Sequence, residues 1–186
     1  MAVAQRMSEA DYERFVLSGI EGLWELHDGV LVEKPGMSWE HLDAIAELVA
    51  LLRQQLDRTR FRAFAESRVR RPTDTIFMPD VMVVPTAYGD RFRGKPGKLA
   101  IFPGPLPLVV EVWSASTGGY DVDTKIPVYM QRGDLEIWRI HPYERTVTSW
   151  VRQPDGTYRE TMHSSGVIRL AALSGVESDL DRLFAV

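Results

Sequence analysis

Apolar and polar positions along this chain fall into short blocks whose period changes from block to block. Residues Asp11–Leu17 carry Tyr12, Phe15 and Val16 at helical spacing and predict one short helix before Gly19. Leu23–Leu26 and Val30–Val32 flank Asp28-Gly29, a dipeptide suited to the positive φ angles of a tight turn, and predict a β-hairpin. Pro35-Gly36 ends that hairpin, and Ser38 is placed to cap a helix over Trp39–Asp57. Within it Leu42, Ile45, Val49, Leu52 and Leu56 recur at steps of three and four, which predicts one buried stripe. His41 stands four residues before Ile45 and points to the same side, and Glu40 in the first turn suits the helix dipole.

Strand-like blocks follow. Phe61–Arg71 alternates roughly and breaks near Ser67, and Ile76–Val84 reads as one strand with Pro79-Asp80 embedded. Pro85–Pro105 is a long stretch rich in Gly, Pro and basic residues (Arg91, Arg93, Lys95, Lys98), the kind of loop that is usually functional or mobile. Leu106–Trp113 is nearly all apolar, as in a strand covered on both faces. A small-polar region leads to a helix with its core at Lys125–Arg132, ended by Gly133; Pro127 limits where it starts, and with Thr124 as the cap Pro127 would take the third position. Strands at Leu135–Ile140, Thr146–Arg152 and Tyr158–Met162 form an antiparallel meander. A last short helix lies in Val176–Phe184, with Leu180, Leu183 and Phe184 inward. The sum is an α/β fold with one mixed sheet, two main helices and the meander.

Composition narrows the chemistry. A length of 186 residues predicts a single domain, 1–186, with enough apolar material for a core. Without cysteine, disulfides, thiolate metal sites, iron–sulfur clusters and thiol nucleophiles are excluded. The 26 acidic residues against 22 basic ones leave a net charge of −4, so contact with nucleic acid must be local or metal-assisted. The longest apolar run, Leu106–Val110, is far too short to span a bilayer, and Met1–Ala10 lacks a signal-peptide pattern. A cytoplasmic protein with no membrane association is the expectation.

Two acidic residues stand in apolar strands: Asp80 after Pro79, and Glu111 within Val109–Trp113. Burying a carboxylate is costly unless it is paired, protonated or bound to a cation. Two on neighbouring strands repel, and a divalent cation relieves the repulsion; with oxygen donors alone, Mg2+ or Mn2+ is favoured. Lys125, on the helix after the Glu111 strand, is placed to address the same site, and carboxylate, carboxylate, lysine in that order suits phosphodiester hydrolysis. The alternative for Lys125 is a surface ion pair with Asp121, four residues earlier. Glu40 and His41 read equally as a polar helix start or as groups reaching the metal site, and Tyr129, one turn beyond Lys125, reads as core.

The chain resembles the PD-(D/E)XK nuclease superfamily and, within it, the bacterial Uma-two family of restriction-endonuclease-like proteins. The segments that carry the resemblance are Trp24–Val32, Glu40-His41, Met78–Val81 and Pro107–Thr117. They continue through Asp121, Lys125, Tyr129, Gly133, Glu136–Trp138 and Leu183-Phe184. The resemblance implies a restriction-endonuclease-like mixed sheet flanked by helices, with Asp80 and Glu111 as the metal-binding carboxylates. Trp113 stands where the family signature usually has its lysine, and that role passes to Lys125. Ala115 stands where proline is common, and His141 where aspartate is common.

The expected function is Mg2+- or Mn2+-dependent endonucleolytic hydrolysis of DNA, with Asp80, Glu111 and Lys125 catalytic and His41, Glu40, Asp121 and Tyr129 in support. The rival is a catalytically silent nuclease-fold module acting in protein or nucleic-acid interaction. A homodimer through the hairpin or the meander is compatible with either.

Overall fold

In the computed structural model the described residues are 6–71, 74–116 and 118–185; Met1–Gln5 and Thr117, cited above, lie outside them. The Ser8 hydroxyl caps α1 (Glu9–Leu17), whose Tyr12 is fully buried. The hairpin forms from β1 (Trp24–His27) and β2 (Val30–Glu33) around Asp28 and Gly29, at φ 47° and 81°. Ser38 caps α2 (Trp39–Gln55) through the His41 amide. Then come β3 (Phe61–Ala65), β4 (Arg68–Arg71), β5 (Thr75–Phe77), β6 (Val81–Pro85) and a 3₁₀ turn over Thr86–Arg91.

The basic stretch returns through β7 (Ile101–Phe102) to β8 (Leu108–Val112). One helical turn, α3 (Gly118–Tyr120), a π turn (Asp121–Lys125) and α4 (Ile126–Arg132) run without interruption up to Gly133 at φ 80°. The chain ends with β9 (Glu136–His141), β10 (Thr146–Arg152), β11 (Tyr158–His163), β12 (Val167–Arg169), β13 (Glu177–Asp179) and α5 (Leu180–Leu183).

Among the described residues the strands form two larger sheets rather than one. The first has the order β2-β1-β5-β4-β7, the second β11-β10-β9-β8-β6-β3, and β12 pairs with β13 separately. The division falls at Met78-Pro79-Asp80, so the single strand expected over Ile76–Val84 is two strands in different sheets. Pro79 has no N–H to continue a ladder, and the chain uses the break to cross between layers. In the six-stranded sheet β8 and β9 are parallel, joined by the helical crossover, and β9, β10 and β11 form the antiparallel meander.

Alternation along the central strands sorts their side chains between two cores. Val81, Val83, Leu108, Val110 and Val112 meet α2 and the C-terminal segment on one face. Met82, Val84 and Val109 meet α4 and the first sheet on the other. The α2 stripe is displaced from the expected one: His41, Ala44, Ile45, Leu48, Leu51 and Leu52 are buried, while Leu42 is 52% exposed. Two further expectations are corrected. The helix around Lys125 begins at Gly118 rather than after Thr124, because the widened turn accommodates a proline that lacks an N–H. The tail helix is only four residues long, because Glu177–Asp179 pairs with β12 instead. No helix of the described residues is long and apolar enough to cross a membrane.

Candidate active site

Asp80 and Glu111 reach the same place from adjacent strands. Val81 pairs with Val110 in antiparallel register, so Asp80 and Glu111 stand one step beyond that pair, 2% and 1% exposed. Asp80 Oδ2 accepts the Val112 amide at 2.7 Å, closing the end of the two strands. Its Oδ1 accepts a 2.7 Å bond from Lys34 Nζ, which also donates to the Met78 carbonyl at 3.0 Å. Glu111 shares its face with Val109, toward α4, where the Tyr129 hydroxyl donates to Oε1 at 2.5 Å.

Lys125 joins them from the π turn. Its Nζ is 3.4 Å from Glu111 Oε1, 3.0 Å from Glu25 Oε1 and 3.7 Å from Asp121 Oδ1, and the residue is 3% exposed. The reading of Asp121 and Lys125 as a surface pair therefore fails, since both are buried. Glu25 also accepts the Met78 amide at 2.7 Å and a 2.9 Å contact from His27 Nε2, while His27 Nδ1 lies 2.6 Å from the Tyr120 hydroxyl.

His41 lies 3.4 Å from Asp80 Oδ2, yet neither of its buried ring nitrogens has a hydrogen-bond partner among the described residues. Glu40 does not join the cluster: it is exposed and accepts a bond from the Tyr143 hydroxyl. These groups line a cavity of about 50 Å³ that includes Glu25, Lys34, His41, Asp80, Glu111, Asp121 and Lys125.

Two residues of this set had no role assigned from the sequence. Glu25 lies within β1, and Lys34 follows the last residue of β2. Glu25 meets Lys125 of the helical crossover, and Lys34 reaches Asp80 and the Met78 carbonyl at the link between the two sheets. The available signal was the acid between Trp24 and Leu26.

The electrostatics follow from four buried carboxylates (Glu25, Asp80, Glu111, Asp121) and two ammonium groups (Lys34, Lys125). Burial alone would raise Asp80, but the His41 ring and the Lys34 ammonium outweigh it and hold the acid well below its ordinary range. Burial raises Glu111 well above the ordinary range, and the charges of Asp121 and Asp80 add to this against the opposing Lys125. For Lys125 the neighbouring acids, Glu111 and Glu25 foremost, overcome burial and keep it protonated.

A family model described as Uma2, "Putative restriction endonuclease", matches residues 10–181. The chain belongs to this family. Among solved structures, the Uma2 chain is similar to one described as a "putative nuclease belonging to DUF820" from Anabaena variabilis. Identity is 22% and the TM-score 0.71, over 87% of this chain and 89% of that one. That likeness shows the restriction-endonuclease-like fold. No curated protein matches the chain.

The cluster's donors fit a hard divalent cation. With all groups ionised, four carboxylates against two ammonium groups leave two negative charges in excess. The acid donors are all oxygen, and the His41 imidazole, 3.4 Å from Asp80 Oδ2, lines the same cavity. No group of three His, Cys, Asp or Glu side chains among the described residues is already arranged as a cation cage. The Lys34 and Lys125 amines stand among the carboxylates instead.

Proposed function

We propose that this protein is a metal-dependent endonuclease that hydrolyses DNA phosphodiester bonds at the Asp80–Glu111–Lys125 cluster. The observation that carries the reading is the convergence, in one buried acidic cavity, of two carboxylates from facing strands and an ammonium group from the following helix.

Asp80 and Glu111 would hold Mg2+ or Mn2+, which when bound supplies a Lewis acid for the phosphoryl oxygen and an acidified water. Lys125 places a fixed positive charge beside Glu111, where it orients the attacking oxygen and offsets charge developing on the phosphate. Glu25 and Asp121 keep that ammonium in place from the opposite side. Tyr129, bonded to Glu111 Oε1, fixes the carboxylate's rotamer. Lys34 neutralises Asp80 through Oδ1, so it would compete with a cation for that carboxylate.

Supercoiled-plasmid nicking with Mg2+ or Mn2+ tests this. The wild type nicks, and Asp80→Ala and Lys125→Ala each lose about 100-fold or more. Nicking that survives both substitutions overturns the assignment.

A further inference from the structure

Away from the acidic cavity, a groove of about 610 Å³ wraps the free edge of β3, between the end of α2 and the segment after β6. Arg53, Arg58, Arg62 and Arg93 line it, and no Asp or Glu does. In a chain of net charge −4, these guanidinium groups, of which Arg93 alone is ion-paired among the described residues, leave a local positive charge. Arg93 is partly committed, to Asp90 at 2.9 Å and to the Thr86 carbonyl at 3.3 Å. The side chains of Arg58 and Arg62 make no hydrogen bond or ion pair to the described residues.

Half-buried Phe61, Phe64 and Phe92 line the groove too: Phe64 and Phe92 on the α4 side of the sheet, backed by Phe102 at centroid distances of 6.1 and 5.5 Å, and Phe61 on the α2 side, next to the Arg60 guanidinium at 5.3 Å. Charge alone would suit any polyanion. Aromatic rings beside guanidinium groups suit a strand whose bases are unstacked, because base–ring stacking supplies sequence-tolerant affinity that a closed duplex cannot offer.

We propose that this groove binds single-stranded DNA, its phosphates on Arg58, Arg62 and Arg93 and its bases against the phenylalanine rings. β3 runs antiparallel to β6, so Val84, in the groove, lies four residues along β6 from Asp80, about 13 Å at strand rise. A strand held at the β3 edge is thus tethered near the acidic cavity. That destination rests on the nuclease reading; the binding does not.

The test is fluorescence anisotropy of a short fluorescein-labelled oligothymidylate in EDTA, which suppresses metal-dependent cleavage and so separates the groove from the reaction. The wild type binds. Arg58→Ala and Arg62→Ala, both at positions without side-chain partners, each weaken binding about fivefold or more. Each also lowers the log–log salt slope by about 0.7. Phe61→Leu weakens binding without changing that slope, and melting temperatures confirm that every variant is folded. Unchanged affinity in both arginine variants overturns the proposal. So does duplex binding with the same arginine dependence, or a mononucleotide that binds as tightly as the oligomer.

Discussion

At the residue scale, the protein's most expensive feature is the set of buried carboxylates, and Lys34 carries much of the compensation at Asp80. Lys34→Met leaves Asp80 to the Val112 amide and the His41 ring alone and is expected to cost about 3 kcal/mol in EDTA, read from urea melts. Because the same change frees Oδ1, millimolar Mn2+ should stabilise the variant more than it stabilises the wild type. Equal Mn2+ shifts in both proteins would contradict the role given to Lys34.

Glu111 gives a pH dependence of definite sign. Its folded-state pKa is raised by burial and by Asp121 and Asp80, so in the metal-free protein it keeps its proton to higher pH than in the unfolded chain. Its contribution to metal-free stability is therefore present at low pH and lost as pH rises through the raised value. A cation must displace that proton, so Mn2+-dependent stabilisation should grow as pH rises above the ordinary carboxylate range. Thermal melts of the wild type and Glu111→Gln check this, and the substitution should flatten the trend.

At the element scale, the helical crossover after β8 decides where Lys125 points. Gly118 opens it against the Trp113 indole, in space that a Cβ would occupy. Gly118→Ala should therefore push the indole aside, cost about 1–3 kcal/mol by overpacking, and lower nicking more than a surface substitution of equal stability cost. The existence of most elements was legible from pattern alone: the Asp28-Gly29 hairpin, the Ser38 cap and the Gly133 stop are local signals, and the structure contains all three. The π turn was not legible, since Asp121–Lys125 carries no residue that demands it and only the adjoining Pro127 hints at a departure from regular α geometry. Leu42 misleads for a related reason. It satisfies the spacing, but the elements packed on α2 cover the neighbouring stripe through Leu48 and Leu51.

At the scale of the whole molecule, the site exists because two sheets and a crossover helix meet at the Met78-Pro79-Asp80 link. Asp80, Glu111 and Lys125 could be picked out in advance because charged residues in or beside apolar segments are conspicuous. Glu25 and Lys34 acquire their positions only when the hairpin's second face is covered, an event between distant segments that no local pattern encodes. Membership of the Uma2 family fixes the architecture, while the chemistry rests on whether the buried charge excess is met by a cation. The most direct measurement is anomalous scattering from a crystal of this protein soaked in Mn2+. The account predicts one strong peak within coordinating distance of both an Asp80 and a Glu111 oxygen, with the Lys125 ammonium beside it. Contradiction would be no peak at the cluster, or one bound to neither carboxylate.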